Sequence, residues 1–144
     1  MMRETAGDLE AESEILDIFA EHFGCSWTKL GSGGKYRIDA ILHKGHKMRA
    51  WVEVKDYKSG LFLGLNVPKY QEGMGLAADT ELPFLFVFRN EGKIGYIKVH
   101  EGGMWSDSHV DIRMSGGTPP NRPANDDDYE PMVMFRETYV IWLK

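Results

Sequence analysis

The sequence predicts an α/β fold, with a central mixed β-sheet flanked by helices and a β/loop extension at the C-terminal end. Three observations predict it. Apolar residues between 8 and 23 recur at helical spacing, residues 36–55 form two strand patterns about a tight turn, and residues 84–88 are an unbroken apolar run. A length of 144 residues suits one compact domain with one core. Residues 1–100 are expected to form that core, and 101–144 a loop and strand extension packed on it, because the last forty residues are too few to fold alone.

In chain order, Leu9, Leu16, Phe19, Ala20 and Phe23 share one helical stripe with Ile15 beside them, and Gly24 ends the helix. Residues 25–30 form a short strand candidate before the flexible Gly31-Ser32-Gly33-Gly34. Residues 36–43 and 47–55 read as strands joined at Lys44-Gly45-His46. A helix is expected over 66–80, with Pro68 tolerable only in its first turn and Gly73 and Gly75 weakening the pattern. The run at 84–88 has the pattern of a central strand covered on both faces, and 94–99 follows after Asn90-Glu91-Gly92. Residues 101–131, rich in Gly, Pro, Ser, Asn and Asp, read as a long loop, and 132–143 as one or two more strands. Helix, three strands, helix and two strands, in that order, give a mixed sheet.

Composition narrows the class. A hydrophobic fraction of 42% argues against wholesale disorder. No apolar run approaches the roughly 18 residues of a membrane span, and no signal peptide is visible, so a soluble, cytoplasmic protein is expected. Cys25 is the only cysteine, which excludes an internal disulfide and a cysteine zinc site; it reads as a small buried residue. The net charge of −5 speaks against nucleic acid, but its distribution speaks for it. Between Lys29 and Lys69 nine Lys and Arg face three acids, and local field decides where a phosphate backbone can lie.

The chemistry concentrates in 50–55, Ala-Trp-Val-Glu-Val-Lys. Strand alternation projects Glu53 and Lys55 to one face, roughly 7 Å apart, with Val52 and Val54 opposite. Asp39 is expected in the neighbouring strand, among Ile38, Ala40 and Ile41, where an acid needs a partner or a metal. The trio reads either as a buried Asp–Lys–Glu ion pair or as a divalent-metal site. In the second case Asp39, Glu53 and the Val54 carbonyl supply hard oxygen ligands, and Lys55 orients the attacking water and offsets negative charge. Glu12 falls on the apolar stripe of the first helix; it either snorkels at the helix end or reaches the same site as a further ligand. Glu10 and Glu14 lie elsewhere on the wheel and read as solvated.

A helix acid, then Asp39, then Glu53-Val54-Lys55 resembles the PD-(D/E)xK nuclease superfamily, with Arg37-Ile38-Asp39 departing from the Pro-Asp form. Within it the chain is most similar to archaeal-type Holliday junction resolvases. The similar segments are 12–16, the Ser-Gly-rich turn, 38–41, 51–55, Val67-Pro68-Lys69-Tyr70-Gln71 and 84–87, together spanning about 8–100. The resemblance implies a restriction-endonuclease-like sandwich and phosphodiester hydrolysis with Mg²⁺ or Mn²⁺. It also implies a homodimer acting on DNA, branched or junction DNA in particular, in recombination or repair. It assigns Glu12, Asp39, Glu53, Lys55 and Gln71 to catalysis, Glu12, Asp39, Glu53 and Val54 to the metal, and Ser32, Lys35, Arg37, Lys58 and Lys69 to the DNA. A general, repair or restriction nuclease, a non-catalytic DNA-binding module, and a structural protein with a coincidental ion-pair network stand as alternatives.

Other signals fall away. Residues 31–36 lack the glycine and the Ser/Thr spacing of a nucleotide loop. The five histidines show no ligand spacing and read as surface residues. Asp126-Asp127-Asp128 lacks the rest of a calcium loop, and the four tryptophans read as core or dimer contacts rather than stacking platforms.

Overall fold

Helix α1 (Ala6–His22) is followed by β1 (Ser26–Lys29), β2 (Ala40–Lys44), β3 (Lys47–Tyr57), β4 (Gly64–Asn66) and α2 (Val67–Thr80). Strands β5 (Phe84–Asn90), β6 (Lys93–His100), β7 (Val110–Gly116) and β8 (Tyr129–Phe135) follow, then a 3₁₀ turn (Glu137–Tyr139) and β9 (Ile141–Trp142). These elements come from a computed structural model that describes residues 6–30, 36–103, 110–116 and 129–144.

The main sheet is mixed, in the order β1-β2-β3-β5-β6-β9. Only β3 and β5 run parallel, and α2 lies in the connection between them, as a parallel pair requires a crossover. A second sheet, β4-β8-β7, is antiparallel.

Strand alternation divides the interior into two cores. On one face Ala40, Leu42, Val52, Val54, Leu85 and Val87 meet Ile15, Leu16, Phe19 and Ala20 of α1. On the other, Ile41, Trp51, Phe84, Phe86 and Phe88 meet Ala77 of α2 and Leu65, Val133 and Phe135 of the second sheet. All five residues of 84–88 are buried, as a strand covered on both faces demands. Gly73 is the close-approach point of α2, since a Cβ there would lie 2.1 Å from the Phe84 ring. That contact explains a glycine inside a helix.

Several expectations need correction. The strand expected from residue 36 begins only at Ala40: Ile38 and Ile41 enter the same core although three apart, so strand alternation does not run through 38–41. Asp39 therefore precedes β2 instead of lying within it. The loop expected over 101–131 contains β7 and the start of β8. Pro131 hid the latter, yet it sits beyond the β4 pairing, which covers only Met132–Met134, so its missing N–H leaves no gap in that ladder. Leu9 and Phe23 are exposed rather than part of the buried stripe, Cys25 is half-buried, and His100 is buried, its Nδ1 accepting the Gly102 N–H at 2.8 Å. Among the described residues no helix is long and apolar enough to cross a membrane.

Candidate active site

The site arises where β3 outlasts its neighbour. Pairing of β2 with β3 ends at Ala40↔Val52, while β3 continues to Tyr57. N–H and C=O groups of alternate strand residues point to the same edge, so Val54 presents its backbone to the edge that β2 has left. Asp39 fills that edge, its Oδ2 accepting the Val54 N–H at 3.0 Å. A backbone hydrogen bond thus fixes the carboxylate beside β3. Glu53 and Lys55 point to the opposite side from Val52 and Val54, as alternation requires; Glu53 is only 4% exposed, whereas Lys55 is exposed. Asp39, Glu53, Val54 and Lys55 line one cleft of about 420 Å³, with Glu12 at its rim and Asn66, Glu130 and Met132 on the wall formed by the second sheet.

Lys69 enters the same cleft from α2. Asn66 caps that helix, its Oδ1 accepting the Lys69 N–H at 2.9 Å, and Pro68 occupies the first turn. Lys69 Nζ lies 2.5 Å from Glu53 Oε2. The other oxygen, Glu53 Oε1, is sealed from solvent and has no hydrogen-bond partner among the described residues. Burial pushes the Glu53 carboxyl well above its usual range, the nearby Asp39 carboxylate adds to the rise, and the Lys69 ammonium only partly opposes them. Burial alone would lower Lys69, but Glu53, Asp39 and Glu12 outweigh it and hold the ammonium above its ordinary value. Two carboxylates this close are tolerable when a proton or a cation lies between them.

That donor set fits a hard divalent cation of the Mg²⁺ type, which binds through one or two carboxylates and otherwise keeps water and phosphate oxygens. The orphaned Glu53 Oε1 is a carboxylate oxygen lacking the positive partner that burial demands. The Val54 carbonyl shares the edge taken by Asp39. The wider ligand set is not assembled: among the described residues no three His, Cys, Asp or Glu side chains are grouped closely enough to hold one ion. Glu12 reaches the cleft, being half-buried there, but does not complete a three-carboxylate cluster with Asp39 and Glu53.

The remaining expected residues scatter. Gln71 is exposed and outside the cleft; two residues beyond Lys69 it is rotated by about 200° around the helix, so it faces away when Lys69 faces in. Arg37 is exposed and lies outside this cleft, though its backbone N–H donates to Glu72 Oε1 at 2.9 Å and ties the segment before Asp39 to α2. Lys58 is exposed beside Asp56 and Arg89 in a neighbouring hollow. Ser32 and Lys35 lie outside the described residues, as does Asp126-Asp127-Asp128. Lys69, expected as a peripheral phosphate contact, instead sits within the carboxylate cluster. The sequence shows only that this lysine stands in the first turn of a capped helix, against the helix dipole; it does not identify the carboxylate that the lysine meets. Arg89 was not anticipated. It binds Asp56 at 3.2 Å and Glu14 at 2.7 Å, clamping α1 to the end of β3, and partners 33 and 75 residues away leave no local trace.

Residues 1–138 match a protein family described as "Phage putative PDDEXK endonuclease". Among solved structures the fold matches Hjc, a Holliday junction resolvase from the archaeal hyperthermophile Archaeoglobus fulgidus, with a TM-score of 0.54 over 90% of each chain. Sequence identity in that match is 12%, so the likeness concerns the fold. No match was found among curated proteins.

Proposed function

Because the chain belongs to this phage PDDEXK endonuclease family, we propose that it is a divalent-metal-dependent DNA endonuclease selective for branched DNA, centred on Asp39, Glu53 and Lys55. The observation that carries the reading is the convergence of two carboxylates and an exposed lysine in one cleft at the free edge of β3. The fold shared with a Holliday junction resolvase supports the choice of branched substrate.

In this reading Asp39 and Glu53 hold the metal, with the Val54 carbonyl a further oxygen beside them. Bound there, Mg²⁺ or Mn²⁺ supplies Lewis-acid polarisation of the scissile phosphate. Lys55 Nζ orients the attacking water and offsets the negative charge that grows on the phosphoryl oxygens. The hydrogen bond from Val54 N–H keeps Asp39 oriented while DNA enters. Glu12, which lines the cleft, would serve as a further oxygen ligand, and Ser32, Lys35, Arg37 and Lys58 serve the approach of the phosphate backbone around this centre. Residues 1–100 act as the nuclease core and 101–144 as an extension folded onto it; the pairing of β8 with β4 and of β9 with β6 supports that division. A homodimer that cuts two strands would fit a cytoplasmic role in recombination or repair.

The test incubates the protein with labelled four-way, flap, linear duplex and single-stranded DNA, in Mg²⁺, Mn²⁺ or EDTA. Cleavage of the four-way substrate is expected with either metal and none in EDTA. Lys55→Ala should slow cleavage by on the order of 10²-fold or more, as loss of an electrostatic or acid–base group does. Equal cutting of all four substrates would replace branch selectivity by general nuclease activity. Parent-like cutting by Lys55→Ala would move the active site elsewhere.

A further inference from the structure

The cation bonded to Glu53 comes from α2: Lys69, and not the Lys55 of the neighbouring strand position, makes that ion pair at 2.5 Å. Four observations bear on what it does there. Its helix begins at an Asn66 cap, with no acid in the first turn to balance a lysine placed against the helix dipole. Its side chain keeps 33% exposure, so the ammonium has a way out into the cleft, whereas Glu53 has only 5% and cannot follow it. Among the described residues Glu53 Oε1 is sealed without a hydrogen-bond partner while Lys69 engages Oε2, so the one ammonium neutralises the two carboxylates incompletely. Both Lys69 and the carboxylates line the same cleft, so the lysine and any ion that enters compete for Glu53 Oε2.

We propose that Lys69 is an internal counter-ion that occupies the Asp39–Glu53 site and must swing off Glu53 before a divalent cation can bind there. The inference rests on the metal-site reading given above. It makes Lys69 a positioning residue: closed, it preserves the pair formed by the buried Glu53 and the half-buried Asp39 in the absence of metal; open, its long flexible stem leaves the ammonium in the cleft, within the space a DNA phosphate would enter. Because the apparent affinity of a site falls with the fraction of molecules in which it is open, the closed pair weakens metal binding and delays it until the ion is abundant. A lysine whose task were to contact DNA would not need to be embedded among carboxylates.

The test measures Mn²⁺ binding to the full chain without DNA, by titration calorimetry and by the loss of the free-ion resonance signal. Lys69→Met, which keeps length and removes charge, is expected to bind Mn²⁺ about tenfold more tightly than the parent, while Lys69→Arg shows no such gain. Glu53→Gln is expected to abolish binding in either background. A folded Lys69→Met that binds Mn²⁺ no better than the parent overturns the counter-ion role and leaves the metal site standing. Absence of Mn²⁺ binding by both parent and Lys69→Met overturns the metal site and the counter-ion with it. A second measurement needs no variant: in the parent, Mn²⁺ should raise the rate of reductive methylation at Lys69 several-fold, read by mass spectrometry with Lys47 as internal reference. An unchanged or reduced rate at Lys69, with Mn²⁺ bound, contradicts the displacement.

Discussion

Glu53 is a carboxylic acid held where its own charge is unwelcome, 4% exposed and beside a second carboxylate, with one ammonium in compensation. Its proton affinity is therefore raised in the folded state above the ordinary value of 4.5. Below pH 4.5 both folded and unfolded chains carry the proton, and the stabilisation is fully present. As pH rises from there, the unfolded chain ionises first, and stability is lost until the folded Glu53 also gives up its proton. Lys69, raised above 10.5, holds its charge throughout that window and does not confound it. Urea midpoints measured in EDTA should thus fall with rising pH, and Glu53→Gln should remove that part of the slope; an unchanged slope in the variant would show that Glu53 ionises freely. Much of this residue-level chemistry was legible, because a period of two puts Glu53 and Lys55 on one face whatever the surroundings. The bonding of Lys69 to Glu53 was not, since strand periodicity says nothing of which helix residue lies opposite.

Elements position these side chains through their ends and close contacts. β3 is eleven residues long and β2 five, and the difference in length opens the edge that Asp39 occupies. α2 is set by its Asn66 cap at one end and by Gly73 against Phe84 further along. Phe84 is fully buried and cannot retreat, so Gly73→Ala should overpack this contact at roughly 1–3 kcal/mol, against about 1 kcal/mol gained in helix propensity. A lowered urea midpoint is the expected reading; a midpoint at or above the parent's would mean α2 can shift away from the sheet. The helices and main strands could be read from apolar spacing, and Pro68 marked the start of α2 correctly. β4, β7 and the start of β8 could not. β4 has only three residues and its partner β8 lies about seventy residues away, Pro131 interrupts the start of β8, and the alternation of Val110, Ile112 and Met114 in β7 is set in a stretch whose Gly, Pro, Ser, Asn and Asp content reads as loop.

At the scale of the whole molecule, the two cores brace a mixed sheet from both sides, and the cleft opens between its free β3 edge and the second sheet. The sandwich was legible because its order of helices and strands admits few packings; the part of the wall formed by the start of β8 was not, because residues 129–131 read as the end of a loop. The central claim is that Asp39 and Glu53 together hold a divalent cation in the cleft. Crystals of the parent protein soaked in Mn²⁺ should give an anomalous difference peak at these two carboxylates, with Lys69 moved off Glu53. A peak elsewhere, or none at a Mn²⁺ concentration that supports cleavage, would contradict it.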